Sequence, residues 1–154
     1  MGNTTDKPRI QSFRDLQVWQ KSMELTVAIY RITQTFPREE AFGLTSQMRR
    51  SAISIPSNIA EGQGRLNMRE FRQFLGIARG SNCELQTQLE IARRLELGNS
   101  QLLNDAESLS HEIGKMIFTI NRKAEDMSSE RWPAVHYPLS TVHCSLSTVH
   151  WSKK

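Results

Sequence analysis

Cysteine is nearly missing from this sequence: there are two in 154 residues, Cys83 and Cys144, in segments of unlike composition. No disulfide framework is expected, and a reducing, cytoplasmic compartment is the reading. Histidine is equally scarce up to residue 124, where His111 is the only one, and it reads as a surface or boundary side chain. That leaves no histidine–nucleophile pair and no Glu-x-x-His pair for a di-iron centre, so the chain is expected to be no enzyme and to hold no cofactor or metal. Gly62-Gln63-Gly64-Arg65 lacks the remaining glycine and the Lys-Ser/Thr ending of a phosphate loop and reads as a helix terminator. No apolar run approaches the roughly 18 to 20 residues of a membrane span, and the polar start MGNTTDKPRI contains no signal-peptide apolar stretch. A membrane partner is excluded on these grounds.

Charge is present and unevenly placed. Residues 1–124 hold 17 basic and 13 acidic side chains, while residues 125–154 hold three of each, so the whole formal excess of +4 sits in the first part. An excess of this size favours acidic partners, nucleic acid among them. The length suits one domain.

Apolar residues recur at helical spacing through four segments, predicting an all-α, antiparallel, up-down-up-down four-helix bundle over 12–126, with a flexible N-terminus over 1–11. The first helix is read over 13–36, capped by Ser12, with Leu16, Trp19, Met23, Val27 and Tyr30 facing the core. A second stripe, Val18, Leu25, Ile29, Ile32 and Phe36, runs beside it and reads as surplus apolar surface for self-association or helix packing. The second helix, ending near Gly62, buries Leu44, Met48, Ala52, Ile55 and Ile59, and Pro56 inside it should bend its axis. Asn67 and Glu70 start the third, which buries Phe71, Phe74, Leu75, Ala78, Leu85, Leu89 and Ala92 and runs to Leu97 before a Gly98-Asn99 stop. Leu102, Ala106, Leu109, Ile113, Met116 and Ile120 mark the fourth, which fades after Ala124.

Residues 127–154 change to Ser, Thr, Pro, His and aromatic residues without helical period and read as a disordered tail. His136, His143 and His150 stand seven apart, and Leu-Ser-Thr-Val-His occurs twice. A seven-nucleotide DNA repeat, (TCCACTG)n, returns to frame after seven codons and encodes Ser-Thr-Val-His-Cys-Pro-Leu, so the tail reads as repeat DNA translated at the end of the gene. The alternative, zinc held by the three histidines and Cys144, needs a fixed geometry that a disordered peptide lacks.

Arginines are the leading functional candidates. Arg65, Arg69, Arg72 and Arg79 are spaced to stack on one face of the third helix and the turn before it, and Arg49 and Arg50 add charge to the second. Guanidinium groups grip phosphate oxygens with two hydrogen bonds, so the stripe is a candidate nucleic-acid contact, against the plainer reading of a solvated helix face. Gln47, Ser54, Asn58 and Glu61 form a polar row on the second helix that can fix register against helix three or another subunit. Gly76 and Gly80 cost helix stability, which suggests a neighbouring helix packed close upon them.

Phe13-Arg14-Asp15-Leu16-Gln17-Val18-Trp19-Gln20-Lys21 resembles the opening of the 23S rRNA intervening-sequence protein family of four-helix bundles. Phe42-Gly43-Leu44, Gln47-Met48-Arg49-Arg50-Ser51, Asn58-Ile59-Ala60-Glu61-Gly62 and Ile77-Ala78-Arg79-Gly80-Ser81 continue the resemblance, which covers about residues 12–123. It implies a ring-like homopentamer and genes placed inside ribosomal RNA inserts. A similar relative, the accessory variability determinant of diversity-generating retroelements, binds nucleic acid and a reverse transcriptase. The expectation is therefore a self-associating RNA-associated protein, with a protein scaffold or reverse-transcriptase accessory subunit as the alternative.

Overall fold

Ser12 starts the described chain with a reciprocal cap: its hydroxyl accepts the Arg14 amide at 3.3 Å and its own amide donates to the Asp15 carboxylate at 2.9 Å. What it caps is a short 3₁₀ turn, Phe13–Asp15, because Leu16 leaves helical geometry at ψ 116°. The computed structural model describes residues 12–129. Four helices follow: α1, Gln17–Thr33; α2, Leu44–Gln63; α3, Met68–Arg94; and α4, Ser100–Ser129. A second 3₁₀ turn, Arg38–Glu40, lies between α1 and α2. The N-terminus expected to be flexible and nearly all of the repeat tail, with its histidines and Cys144, fall outside the described residues, although α4 extends three residues past the expected boundary at 126.

Side chains satisfy the starts of α2, α3 and α4. Gly43 has no side chain to offer, so the Glu40 carboxylate reaches forward to accept the Leu44 amide at 3.0 Å. Asn67 accepts the Glu70 amide at 2.9 Å and Asn99 accepts the Leu102 amide at 3.1 Å. Asn99 thus begins α4 and does not terminate α3. The stop is made by Glu96, at φ 55°: the Leu97 amide returns to the Ala92 carbonyl at 2.9 Å and the Glu96 amide to Arg93 at 3.1 Å.

Helices pack against their sequence neighbours, and α1 closes on α4. Along α2, Ser51 meets Gln88 and Ser54 meets Ser81; along α3, Arg72 meets Asn121 and Arg93 meets Asn104. Partners descend as the helix ascends, which makes the bundle antiparallel, up-down-up-down. Buried positions recur at alternating steps of three and four on every helix: 18, 22, 25, 29 and 32 on α1, and 103, 106, 110, 113 and 117 on α4. That is the period of knobs-into-holes packing.

This corrects the reading of α1. Val18, Leu25, Ile29 and Ile32, expected as a self-association or helix-packing surface, are at most 1% exposed and take the helix-packing role in the core, whereas Met23, Val27 and Tyr30 lie outward at 39%, 46% and 38%. The buried stripe is completed by Ser22, whose hydroxyl donates to the Val18 carbonyl at 2.6 Å, and counting apolar residues alone conceals it. On α4, Leu103 and Ile117 are buried and Leu102 is not. Phe71 and Phe74 on α3 are half-buried, beside a core that also takes in Asn82 and Gln88.

Glycine roles are redistributed as well. A Cβ at Gly76 or Gly80 would meet nothing within 4 Å, so no helix of this chain packs on them. Close approach happens instead at Gly62, where a Cβ would stand 2.8 Å from the Phe74 Cβ, and at Gly114, where it would stand 3.2 Å from the Asn82 amide nitrogen. Gly62 is therefore a buried packing residue in the last turn of α2, which ends, as expected, within Gly62-Gln63-Gly64-Arg65, with Gly64 at its C-terminal cap.

α2 continues through Pro56 to Gln63. Proline has no amide hydrogen for the carbonyl four residues back, which belongs to Ala52. Thr26 of α1 supplies the donor, its hydroxyl lying 2.9 Å from that oxygen and 2.8 Å from the Ser22 carbonyl. Thr26→Val should cost about 1–2 kcal/mol in urea denaturation, and markedly less in a Pro56→Ala background, where the new amide satisfies Ala52. Equal costs in the two backgrounds would refute this pairing.

Candidate nucleic-acid interface

The six candidate arginines do not form one surface. Arg49 and Arg50 lie where α1 ends and α2 begins; Arg65, Arg69 and Arg72 lie at the opposite end, where α2 hands over to α3. More than a dozen residues of helix separate the two groups, roughly 20 Å at 1.5 Å per residue. Arg79 stands between the ends, its guanidinium 5.6 Å from the centre of the Phe118 ring of α4.

Their partners differ too. Arg65 bonds the Glu61 carboxylate and lies over Phe74 at 4.7 Å. Arg72 ties α3 to α4, contacting Asn121 at 3.4 Å and Glu125 at 2.9 Å. Those two cations are neutralised by the chain itself. Arg69 is exposed and has no hydrogen-bond or ion-pair partner among the described residues. Arg50 meets only the Gln47 amide oxygen among the described residues, at 2.7 Å. Arg49 is half-buried: its Nε donates to the Thr33 hydroxyl at 2.8 Å and its plane covers Tyr30 at 4.7 Å.

The polar row of α2 is likewise divided. Ser54 crosses to Ser81 at 2.8 Å and is also met by Asn58, while Gln47 and Glu61 face their neighbouring arginines. A second crossing, Gln88 to Ser51 at 3.2 Å, lies deeper, and the Gln88 carbonyl oxygen has no hydrogen-bond partner among the described residues. The most buried pair joins α3 to α4: Asn82 donates to the Ser110 carbonyl at 3.0 Å and accepts the Ser110 hydroxyl at 2.9 Å. Asn82 and Ser110 were not among the sequence candidates; their signal is a polar residue at a position where the three-four alternation requires an apolar one.

Between α3 and α4 runs a groove of ≈ 500 Å³ whose lining includes Glu90, Arg94, Glu107 and His111. Its charges are committed to one another. Arg93 bonds both Glu90 and Glu107, and Arg94 bonds Glu90 at 2.8 Å. Hydrogen bonds from Arg94 and then Arg93 hold the Glu90 carboxyl below its ordinary 4.5, while Glu107 and then Glu90 raise Arg93. A depressed carboxylate stabilises the fold at neutral pH and loses that contribution as acid takes the pH below 4.5 and through the folded value. His111 is exposed, its Nδ1 3.5 Å from Gln86 and its Nε2 3.9 Å from Glu107. No helix among the described residues is long and apolar enough to cross a membrane.

Against known sequences, the profile of the 23S rRNA-intervening sequence protein family matches residues 14–119, from the first 3₁₀ turn to late in α4. The chain belongs to that family. Among solved structures, a protein of unknown function from the S23 ribosomal protein family of Bacteroides thetaiotaomicron VPI-5482 is similar, at 28% identity and a TM-score of 0.64. The similarity covers 68% of this 23S rRNA-intervening sequence family member and 98% of that chain. No curated protein matches.

Proposed function

We propose that this 23S rRNA-intervening sequence family member is a non-enzymatic, self-associating protein that binds RNA through arginines its own carboxylates leave free. The observation that carries this reading is the division of the cations: Arg65 and Arg72 are matched by Glu61 and Glu125, whereas Arg49, Arg50 and Arg69 are in no ion pair among the described residues. Free guanidinium groups on a chain of net charge +4 suit a polyanion. Support for self-association comes from the outward apolar side chains of Met23 and Val27 on α1 and Ile53 on α2, the last 43% exposed, and the pentamer implied by the family resemblance adds to it.

Filter binding to a structured RNA at stepped salt concentrations tests the nucleic-acid reading. Affinity should fall linearly on a log–log plot, and replacing Arg49, Arg50 and Arg69 together by alanine should flatten the slope by about 2 and weaken binding about tenfold or more at low salt. No RNA affinity, joined to retention of an acidic polymerase subunit, would instead favour the scaffold alternative. Light scattering should show an oligomer that Val27→Asp shifts toward the monomer; a monomeric parent would remove the self-association reading.

A further inference from the structure

We infer that the end of the bundle where α1 hands over to α2 is a single-strand site, gripping a phosphate with the Arg49 guanidinium and stacking an unpaired base on Phe42. This rests on the RNA reading above and adds which end binds and which form of nucleic acid it selects.

Four arginines lie at that junction: Arg31 in the last turn of α1, Arg38 in the 3₁₀ turn, and Arg49 and Arg50 early in α2. None is in an ion pair among the described residues. The two arginines at the close of α3, Arg93 and Arg94, come to the same end of the bundle and are both neutralised there by Glu90 and Glu107. Of the carboxylates in the connecting turn, Glu40 is spent on the Leu44 amide, which leaves Glu39 as the exposed negative charge among four cations.

Arg49 is built to present a fork. Its Nε is held by the Thr33 hydroxyl, whose own hydrogen is directed to the Ile29 carbonyl at 2.8 Å, and one face of its plane rests on Tyr30. Both Nη atoms have no hydrogen-bond partner among the described residues. A guanidinium fixed in this way loses little side-chain freedom when two of its N–H groups meet a phosphate.

Phe42 supplies the selectivity. It is 96% exposed, a bare ring in the turn before α2. A duplex keeps its bases inside and offers such a ring only phosphate and sugar, whereas an unpaired base stacks on it whatever its identity. The opposite end has its own exposed apolar side chain, Leu66, also 96% exposed, but that one is aliphatic, and of the three arginines there Arg65 and Arg72 are matched by carboxylates, which leaves Arg69 alone unpaired among the described residues.

Fluorescence anisotropy of the full chain with a labelled, unstructured RNA oligonucleotide, and with the same strand annealed to its complement, tests the assignment. The parent should prefer the single strand. Phe42→Ala should weaken single-strand binding about tenfold and change duplex binding little, Arg49→Lys should weaken single-strand binding about tenfold, and Leu66→Ala, at the opposite end, should leave the preference intact. Circular dichroism checks that each variant is folded; both replaced side chains are at least partly exposed, so folding should persist. If the parent binds both forms equally, or binds the single strand as well after Phe42→Ala and Arg49→Lys, this inference is overturned and the general RNA reading stands. If the parent binds neither form, both fall together.

Discussion

Gly62→Val should lower the stability of the bundle by about 2–3 kcal/mol, measured as a fall in the urea midpoint at unchanged m-value. The contact responsible is with the Phe74 Cβ, 2.8 Å from where the first new atom would sit, with the Phe71 ring at 3.2 Å behind it. A Cβ cannot swing aside as the end of a long side chain can, so relief requires α2 and α3 to move apart. Gly76→Ala and Gly80→Ala provide the opposite sign. Open space surrounds both, so alanine brings only its better helix propensity, and each change should stabilise the isolated chain by about 0.8–1.0 kcal/mol. Finding Gly62→Val harmless, or Gly76→Ala as damaging to the monomer, would invert the assignment of the close helix contact.

The second large effect lies at the buried pair between α3 and α4. Asn82→Ala should cost about 2–4 kcal/mol, because it leaves a gap and takes the acceptor away from the Ser110 hydroxyl. Ser110→Ala costs less, about 1–2 kcal/mol, since Asn82 keeps its bond to the Ser110 carbonyl. The double variant should then be little worse than Asn82→Ala alone, giving a coupling of about 1 kcal/mol or more in a double-mutant cycle. Strict additivity would show that the two side chains do not act as a unit. Gly114 belongs to the same arrangement: alanine there would bring a methyl group 3.2 Å from the Asn82 amide, so Gly114→Ala should also destabilise despite its helix propensity.

These residues show where reading the sequence succeeded and where it fell short. Asn67 with Glu70 located the start of α3, since a cap is a local arrangement that a few adjacent residues determine. Ser22, Asn82 and Ser110 concealed the buried stripes, because apolar periodicity has no means of counting a hydroxyl or amide that is satisfied only by a particular neighbour. The candidate site was legible as a set of arginines but not as a surface. Spacing along α3 put Arg65, Arg69, Arg72 and Arg79 on one face, yet whether each is free depends on Glu61, Asn121, Glu125 and Phe118, most of them on another helix. Arg31 and Arg38 are not among the sequence candidates and Phe42 enters only through the family resemblance, since all three lie outside any stripe; their signal is only a run of cations and an aromatic around a turn.

By itself, the sequence determined that four amphipathic helices form, roughly where they begin and end, and that short connections make them antiparallel. Those outcomes depend on interactions within a turn or two of chain. Tertiary structure alone decided which stripe of α1 faces inward, which glycines admit a neighbouring helix and which arginines keep an uncommitted charge. Each of those is settled by atoms distant in sequence, whose packing and pairing exist only once the helices have met.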